Sequence, residues 1–219
     1  MAQNVAIREI SAPQTEAEGI LKAQREAHRS NPYPDLAERR DNLLKLENML
    51  ADNADAICEA ISADFGHRNP TETKLVEIFG SLTAVRDTRK NLKKWMKPQR
   101  RHTSIMFFTG KNEVIPQPKG VIGVGTPWNY PLYLSIGPAI NALAAGNRCM
   151  VKLAANSQNL CKLLAELCQK TFNDGVLTYL PGISGSEFSA LPSSVIRSIG
   201  SSLGRQIARG LLGSITGKR

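Results

Sequence analysis

The stretch Gly123–Gly137, "GVGTPWNYPLYLSIG", decides how the rest of the sequence is read. A short β-type run carrying Gly123 and Gly125 passes into Trp128, Asn129 and Tyr130, enclosed by Pro127 and Pro131, and an apolar helix-forming run follows. Strand, tight turn and helix in that order open a βαβ unit. The polar Asn129 at the mouth of the turn has two readings. Its amide either caps the following helix, the simpler account of a lone turn asparagine, or it is aimed at something that binds there. The glycines do not choose between them, because the third glycine of a dinucleotide-binding G-x-G-x-x-G is missing.

Downstream the alternation continues. The helix after "VIGVG" is expected from about Leu132 to Ala145. "CMVK" reads as a strand before a helix from Ser157 to Phe172, and "VLTYL" as a strand before a short helix near Ser186 to Ala190. "VIRSI" is a strand before a helix from Ser201 to Leu212. Strands alternating with helices predict an α/β unit, a parallel sheet covered on both faces.

Upstream the chain reads as helical, packed on or beside that unit. In "DLAERRDNLLKLENML", Asp35 and Glu38 have the spacing of a capping box, and Leu36, Leu43, Leu46 and Leu50 repeat at helical intervals. "ADAICEAISADF" is a second helix that stops near Gly66. A third begins with Asn69 as cap, Pro70 at the first position and Glu72 at N3, carries Leu75, Ile78, Phe79, Leu82 and Val85 as its apolar stripe, and ends at Pro98. It would be about 40 Å long at 1.5 Å per residue. Between the two halves, "TSIMFF" and "KNEVIP" read as short strands joined at Thr109-Gly110, a hairpin.

The totals suit a soluble globular protein: 219 residues, 42% hydrophobic and 21% charged. No internal repeat or low-complexity segment is visible. The opening "MAQNVAIREI" lacks the apolar core of a secretory signal, and the apolar run near Tyr130 to Ala145 is interrupted by Ser135, Pro138 and Asn141. A cytoplasmic location without a membrane segment is therefore expected. Cys58, Cys149, Cys161 and Cys168 fit neither a zinc site nor a CxxC pair and read as packing thiols. The net charge of +9 raises nucleic acid as a partner, with "RKNLKKWMKPQRRH" (Arg89 to His102) as the basic run. Leu92, Trp95 and Met96 fall at helical spacing within it, so an exposed basic helix face accounts for the run more simply than a phosphate-binding strip.

In open parallel sheets, ligands settle beyond the carboxyl ends of the strands. Polar or glycine-bearing loops stand there: "GTPWNYP", "KLAANS" and "GSSLG" (Gly200 to Gly204). The last opens a helix, where free N–H groups and the Ser201 hydroxyl favour an anion, although a serine cap alone would look the same. Lys152, ending its strand, is either solvated or bonded to a ribose or phosphate.

Together "PWNYP" (Pro127 to Pro131), "NALAAGNRCMVK" (Asn141 to Lys152) and "GSSLGRQI" (Gly200 to Ile207) resemble the aldehyde dehydrogenase superfamily, most closely its coniferyl aldehyde dehydrogenase-like branch. The likeness runs from about Ala37 to the carboxyl terminus, in order and with compatible spacing. It implies a partial aldehyde dehydrogenase fold: a helical segment over 1–102, a hairpin of oligomerisation type over 103–118 and a partial Rossmann-like dinucleotide-binding unit over 119–219. The family oxidises aldehydes to acids with NAD or NADP through a cysteine thioester. By the same resemblance Asn129 is the oxyanion donor, Thr126, Pro127 and Trp128 line the nicotinamide side, Lys152 contacts the adenosine ribose, and Gly200, Ser201 and Gly204 form the pyrophosphate turn. The hairpin would serve a homo-oligomer.

The sequence also departs from the family pattern. Ala155 stands where the family often has a ribose-binding glutamate, which weakens the case for a strict NAD preference. Arg197 puts a charge in a strand that is usually apolar. The Glu-Leu-Gly-Gly motif would begin about two residues past Arg219 by the spacing from Gly204, and no cysteine follows Cys168. The expectation is a truncated enzyme lacking the catalytic domain, with no turnover by this chain alone. The alternative is a non-catalytic nucleotide-binding or subunit-docking fragment.

Overall fold

The computed structural model describes residues 15–172 and 175–191, together with the backbone of 196–199. Helix α1 (Glu16–Ser30) opens on a capping box: the Thr15 hydroxyl accepts from the Glu18 N–H, and the Glu18 carboxylate accepts from the Thr15 N–H. The sequence reading passed over this helix, although T-E-A-E at 15–18 was its signal. In α2 (Leu36–Asp52) only half of the expected box forms. Asp35 accepts from the Glu38 N–H at 2.8 Å, while the Glu38 side chain turns to the Asn31 amide. Helix α3 (Ala54–Phe65) ends as expected at Gly66, whose φ of 65° only glycine adopts freely.

The predicted long helix is continuous but not uniform. α4 (Pro70–Glu72) and α5 (Phe79–Trp95) are joined by a π-helical turn, Thr73–Ile78. A π turn closes i→i+5 bonds and inserts an extra residue, which rotates the stripe of side chains facing inward. Ile78 and Val85 are buried as expected and Leu82 partly so, but Leu75 and Phe79 are 65% and 60% exposed. Thr73, Glu77 and Ser81 take the inward positions instead.

The hairpin keeps the predicted second strand, within "KNEVIP", but not the first. β1 (Gln99–Arg101) pairs antiparallel with β2 (Asn112–Val114). "TSIMFF" has no strand beside it and folds through a 3₁₀ turn, Ile105–Phe107, with the Phe107 N–H donating to the Ser104 carbonyl. On the adjoining helix the first residue of the basic run, Arg89, donates to Glu47 at 2.6 Å, as does Arg86 one turn before it.

The remaining strands form one parallel sheet: β3 (Val121–Gly125), β4 (Arg148–Lys152), β5 (Leu177–Tyr179) and β6 (Ile196–Ile199), in the order β5-β4-β3-β6. Helices α6 (Pro131–Ala144), α7 (Gln158–Thr171) and α8 (Gly185–Ala190) connect them in turn, close to the predicted limits. The helix expected over Ser201 to Leu212 lies outside the described residues.

Period-two alternation in the strands gives each face its own core. Val124, Cys149, Val151, Leu177 and Tyr179 pack with α6 and α7, over which α2, α3 and α5 form a further layer. Val121 and Met150 point the other way, to Ala17 and Leu21 of α1 and to Phe188 of α8. Helix α1 is fastened there by Gln24, whose amide donates to the Cys149 carbonyl at 3.3 Å and to the Thr178 hydroxyl at 3.1 Å. α6 lies between sheet and helical layer, which explains why it is apolar nearly all round.

The "AAGN" motif is the joint between α6 and β4. Gly146 has φ 82°, and the buried Asn147 side chain accepts from the Lys119 and Gly120 N–H groups, tying this turn to the start of β3. The Arg39 guanidinium fills the space above Gly146 and donates to the Ala144 and Pro34 carbonyls. A Cβ at Gly146 would lie 2.7 Å from Arg39 Cζ, whereas one at Gly182, φ 76°, would meet nothing within 4 Å. Gly182→Ala is therefore expected to lose only the left-handed backbone cost of about 1–2 kcal/mol. Gly146→Ala should lose more, because Arg39 must also move, and urea denaturation of the two variants measures the difference.

Candidate functional site

The strand order puts a topological switch between β3 and β6: the chain steps from β3 through β4 to β5 on one side, then returns to β6 on the other. Carboxyl-terminal strand residues stand in register there, with Gly125 opposite Lys152 on β4 and opposite Ile199 on β6. The carboxyl ends of these strands thus share one edge of the sheet, the edge at which such sheets take ligands. Gly200, Ser201 and Gly204 themselves lie outside the described residues.

The loop after β3 is fastened to the sheet at its first residue, where the Thr126 N–H donates to the Lys152 carbonyl at 3.0 Å. The Thr126 side chain is buried and its Oγ1 has no hydrogen-bond partner among the described residues. Lys152, half-buried, donates its ammonium to the Leu153 carbonyl at 2.9 Å. Pro127, Trp128 and Asn129 then stand exposed, Trp128 at 63%. Ala155 is exposed beyond the end of β4.

What caps α6 answers the question that Asn129 raised. Tyr130 occupies the cap position and makes no side-chain cap bond, and Pro131 has no N–H to satisfy. The next two donors, the Leu132 and Tyr133 N–H groups, go to a single oxygen, Glu77 Oε2, at 2.8 and 3.2 Å. The helix is thus capped by a carboxylate from the π turn, and the simpler reading of Asn129 as a cap does not hold. Among the described residues the Asn129 side chain makes no hydrogen bond. Its carbonyl accepts from Arg68 Nη1 at 2.8 Å.

Glu77 is fully buried. Burial pushes its carboxyl above the ordinary range, while the Tyr133 N–H, the Arg68 charge and the Leu132 N–H pull it back. Arg68 Nη1 lies 3.4 Å from Glu77 Oε1, close enough for an ion pair though without hydrogen-bond geometry, and Arg68 Nη2 bonds Glu72 at 2.9 Å. The guanidinium is stacked between the Tyr130 ring, 4.6 Å away, and the Phe65 ring, 4.9 Å away. The sequence reading missed both residues. The available signal was a carboxylate on the stripe of Ser81, Val85 and Leu92, an inward position that an ionised group takes only with partners.

All four cysteines are free and buried. Burial pushes the Cys149 thiol up to about 12 and the Cys161 thiol up to about 11, and raises those of Cys58 and Cys168 as well. Among the described residues no group of His, Cys, Asp and Glu could hold a metal ion, and no helix is long and apolar enough to cross a membrane.

The aldehyde dehydrogenase family profile matches residues 2–209. A probable coniferyl aldehyde dehydrogenase of Pseudomonas aeruginosa is 39% identical over 202 residues, which is 91% of this chain and 42% of that protein. A coniferyl aldehyde dehydrogenase of a Pseudomonas species is 38% identical over 174 residues, 78% of this chain and 36% of that protein. The chain thus spans less than half the length of these relatives. The substrate-bound structure of AldH from Staphylococcus aureus overlays with a TM-score of 0.74 at 26% identity, covering 80% of this chain and 38% of that one. Succinic semialdehyde dehydrogenase from Streptococcus pyogenes, in complex with NADP+, shares the fold at a TM-score of 0.74 and 20% identity, over 90% of this chain and 45% of that one. Matched over nearly its whole length, the chain belongs to the aldehyde dehydrogenase family.

Proposed function

We propose that the sheet edge at Gly125, Lys152 and Ile199 is the NAD(P) crevice of an aldehyde-oxidising enzyme, and that Asn129 is its oxyanion donor. The observation that carries this reading is the register of the three strand ends, which brings Gly125, Lys152 and Ile199 side by side along one edge. The residues fit a dinucleotide. Thr126 offers a buried hydroxyl, without a partner among the described residues, beside Lys152, whose ammonium has donor capacity left for a ribose hydroxyl. Ala155 places no carboxylate against a 2′-phosphate, so both NAD and NADP are expected to bind.

When bound, the nicotinamide supplies a hydride acceptor. The chain's own part is to hold Trp128 and Thr126 against that end of the crevice and to present the Asn129 amide N–H to the oxygen of an attacked aldehyde, where negative charge develops. The attacking thiolate is not expected from these 219 residues, since each of their four thiols is buried and burial pushes its pKa up. Taken alone they bind cofactor without turning over aldehyde. Free thiols throughout also suit the reducing cytoplasm.

A second reading rests on the hairpin. Ile105, Met106, Phe107 and Phe108 are all strongly exposed, an apolar surface suited to docking on another subunit. Under this reading the chain associates through β1 and β2 with a second copy of itself.

Three measurements test these readings. Calorimetry of the purified chain should show saturable binding of NAD and NADP, weakened about tenfold in Lys152→Ala through the loss of one ribose bond. No binding of either nucleotide would overturn the crevice. A chromogenic disulfide at pH 8 should leave the four native thiols essentially unreacted and titrate all four in denaturant, and rapid native reaction of even one would reopen the question of the nucleophile. In sedimentation velocity, replacing Phe107 and Phe108 by Asp should shift the chain from dimer or larger to monomer, and an unchanged wild-type monomer would remove the docking role.

A further inference from the structure

We propose that Arg68 and Glu77 are positioning residues for Asn129, so that the helical layer, rather than the sheet that bears the loop, sets the direction of the oxyanion donor. The chemical meaning of this inference rests on the reading of Asn129 above; the restraint itself does not.

Among the described residues the sheet holds the loop only at Thr126, through the Lys152 carbonyl. Among the described residues, the bonds that fix the loop beyond that point come from the segment 65–77. Arg68 donates to the Asn129 carbonyl and stacks on the Tyr130 ring, and the Tyr130 hydroxyl reaches Glu72 at 3.5 Å. Glu77 takes the first two N–H groups of α6 on one oxygen and faces Arg68 with the other. The start of α5 comes close to the same turn, since a Cβ on Gly80 would fall 2.9 Å from the Tyr133 ring.

The prolines sharpen this dependence. Pro127 and Pro131 lock their own φ angles and lack N–H groups, leaving the peptides of Trp128, Asn129 and Tyr130 as the adjustable part of the loop. One guanidinium–carboxylate pair therefore governs two things at once, the start of α6 and the orientation of the Asn129 peptide. Losing the carboxylate frees two helix donors and leaves Arg68 without its buried counter-charge. Losing the guanidinium fork frees the Asn129 carbonyl directly.

The test is ¹⁵N relaxation and amide exchange on the whole 219-residue chain, without nucleotide, comparing wild type with Glu77→Ala, which removes the acceptor oxygen, and Arg68→Lys. The expected result is a fall in the Asn129 order parameter from about 0.85 to below about 0.6 in both variants. Exchange at the Leu132 and Tyr133 amides should accelerate about tenfold or more in Glu77→Ala, with the β3 and β4 amides unchanged. A role in stability alone would loosen the sheet amides as much as the loop. An Asn129 that stays as ordered in both variants as in wild type overturns the proposal. So does failure of both variants to fold, which would make the pair a support of the whole domain rather than of the loop. Because no cofactor is present, a negative calorimetric result for NAD and NADP would sink the crevice and leave this measurement standing.

Discussion

A buried helix cannot begin without acceptors for its first N–H groups, and for α6 the acceptor is the carboxylate of Glu77, 55 residues before Leu132 in the chain. Burying an ionised carboxylate costs several kcal/mol unless hydrogen bonds and a counter-charge offset it. Here the offset is local but partial: two backbone donors sit on one oxygen, Arg68 faces the other at 3.4 Å without hydrogen-bond geometry, and burial still pushes the carboxyl above its ordinary range. The bond joins the outer helical layer to the helix that packs on the sheet. The amino-terminal helices are therefore not an appendage to a Rossmann-like unit. They finish one of its helices.

The same economy appears at the other end of α6. Gly146 turns the chain in a left-handed conformation, Asn147 bonds across to the start of β3, and Arg39 from α2 closes over the turn. Both ends of α6 thus depend on charged residues from the helical layer, Glu77 at its beginning and Arg39 at its end. The first is an anion beside helix N–H groups and the second a cation beside helix carbonyls, each the sign that the helix dipole favours. A helix apolar on nearly every side has little polar surface of its own with which to set its position along the sheet. Its fixed points come from its two termini.

This arrangement divides the labour of the site. The sheet supplies the edge at which Gly125, Lys152 and Ile199 meet, a consequence of parallel register and of the switch in strand order. The helical layer supplies the restraint on the loop that rises from that edge. The π turn is the device that makes the second part available. By inserting one residue it turns Glu77 inward and Leu75 and Phe79 outward, trading apolar burial for a carboxylate aimed at α6.

Much of this was legible in the residues. Strand and helix alternation from Val121 onward, the stops at Gly66 and Pro98 and the clustering of polar loops at the strand ends follow from local rules of periodicity, capping and chain geometry, which act within a few residues. The family motifs were equally legible, but not the work each one does. "AAGN" and "PWNYP" look alike as asparagine-bearing turns; only the folded chain shows that the Asn147 side chain is consumed by backbone bonds while, among the described residues, the Asn129 side chain makes none. The π turn, the outward Leu75 and Phe79, and the Arg68–Glu77 pair were illegible because a helical repeat assumes a constant number of residues per turn and because their partners lie far along the chain. Sequence alone determined the order of elements and the loops at which a ligand could sit, since both are local. The tertiary structure decided which polar side chains are spent on the fold and which remain free, since that depends on which distant donor or acceptor packing brings within about 3 Å.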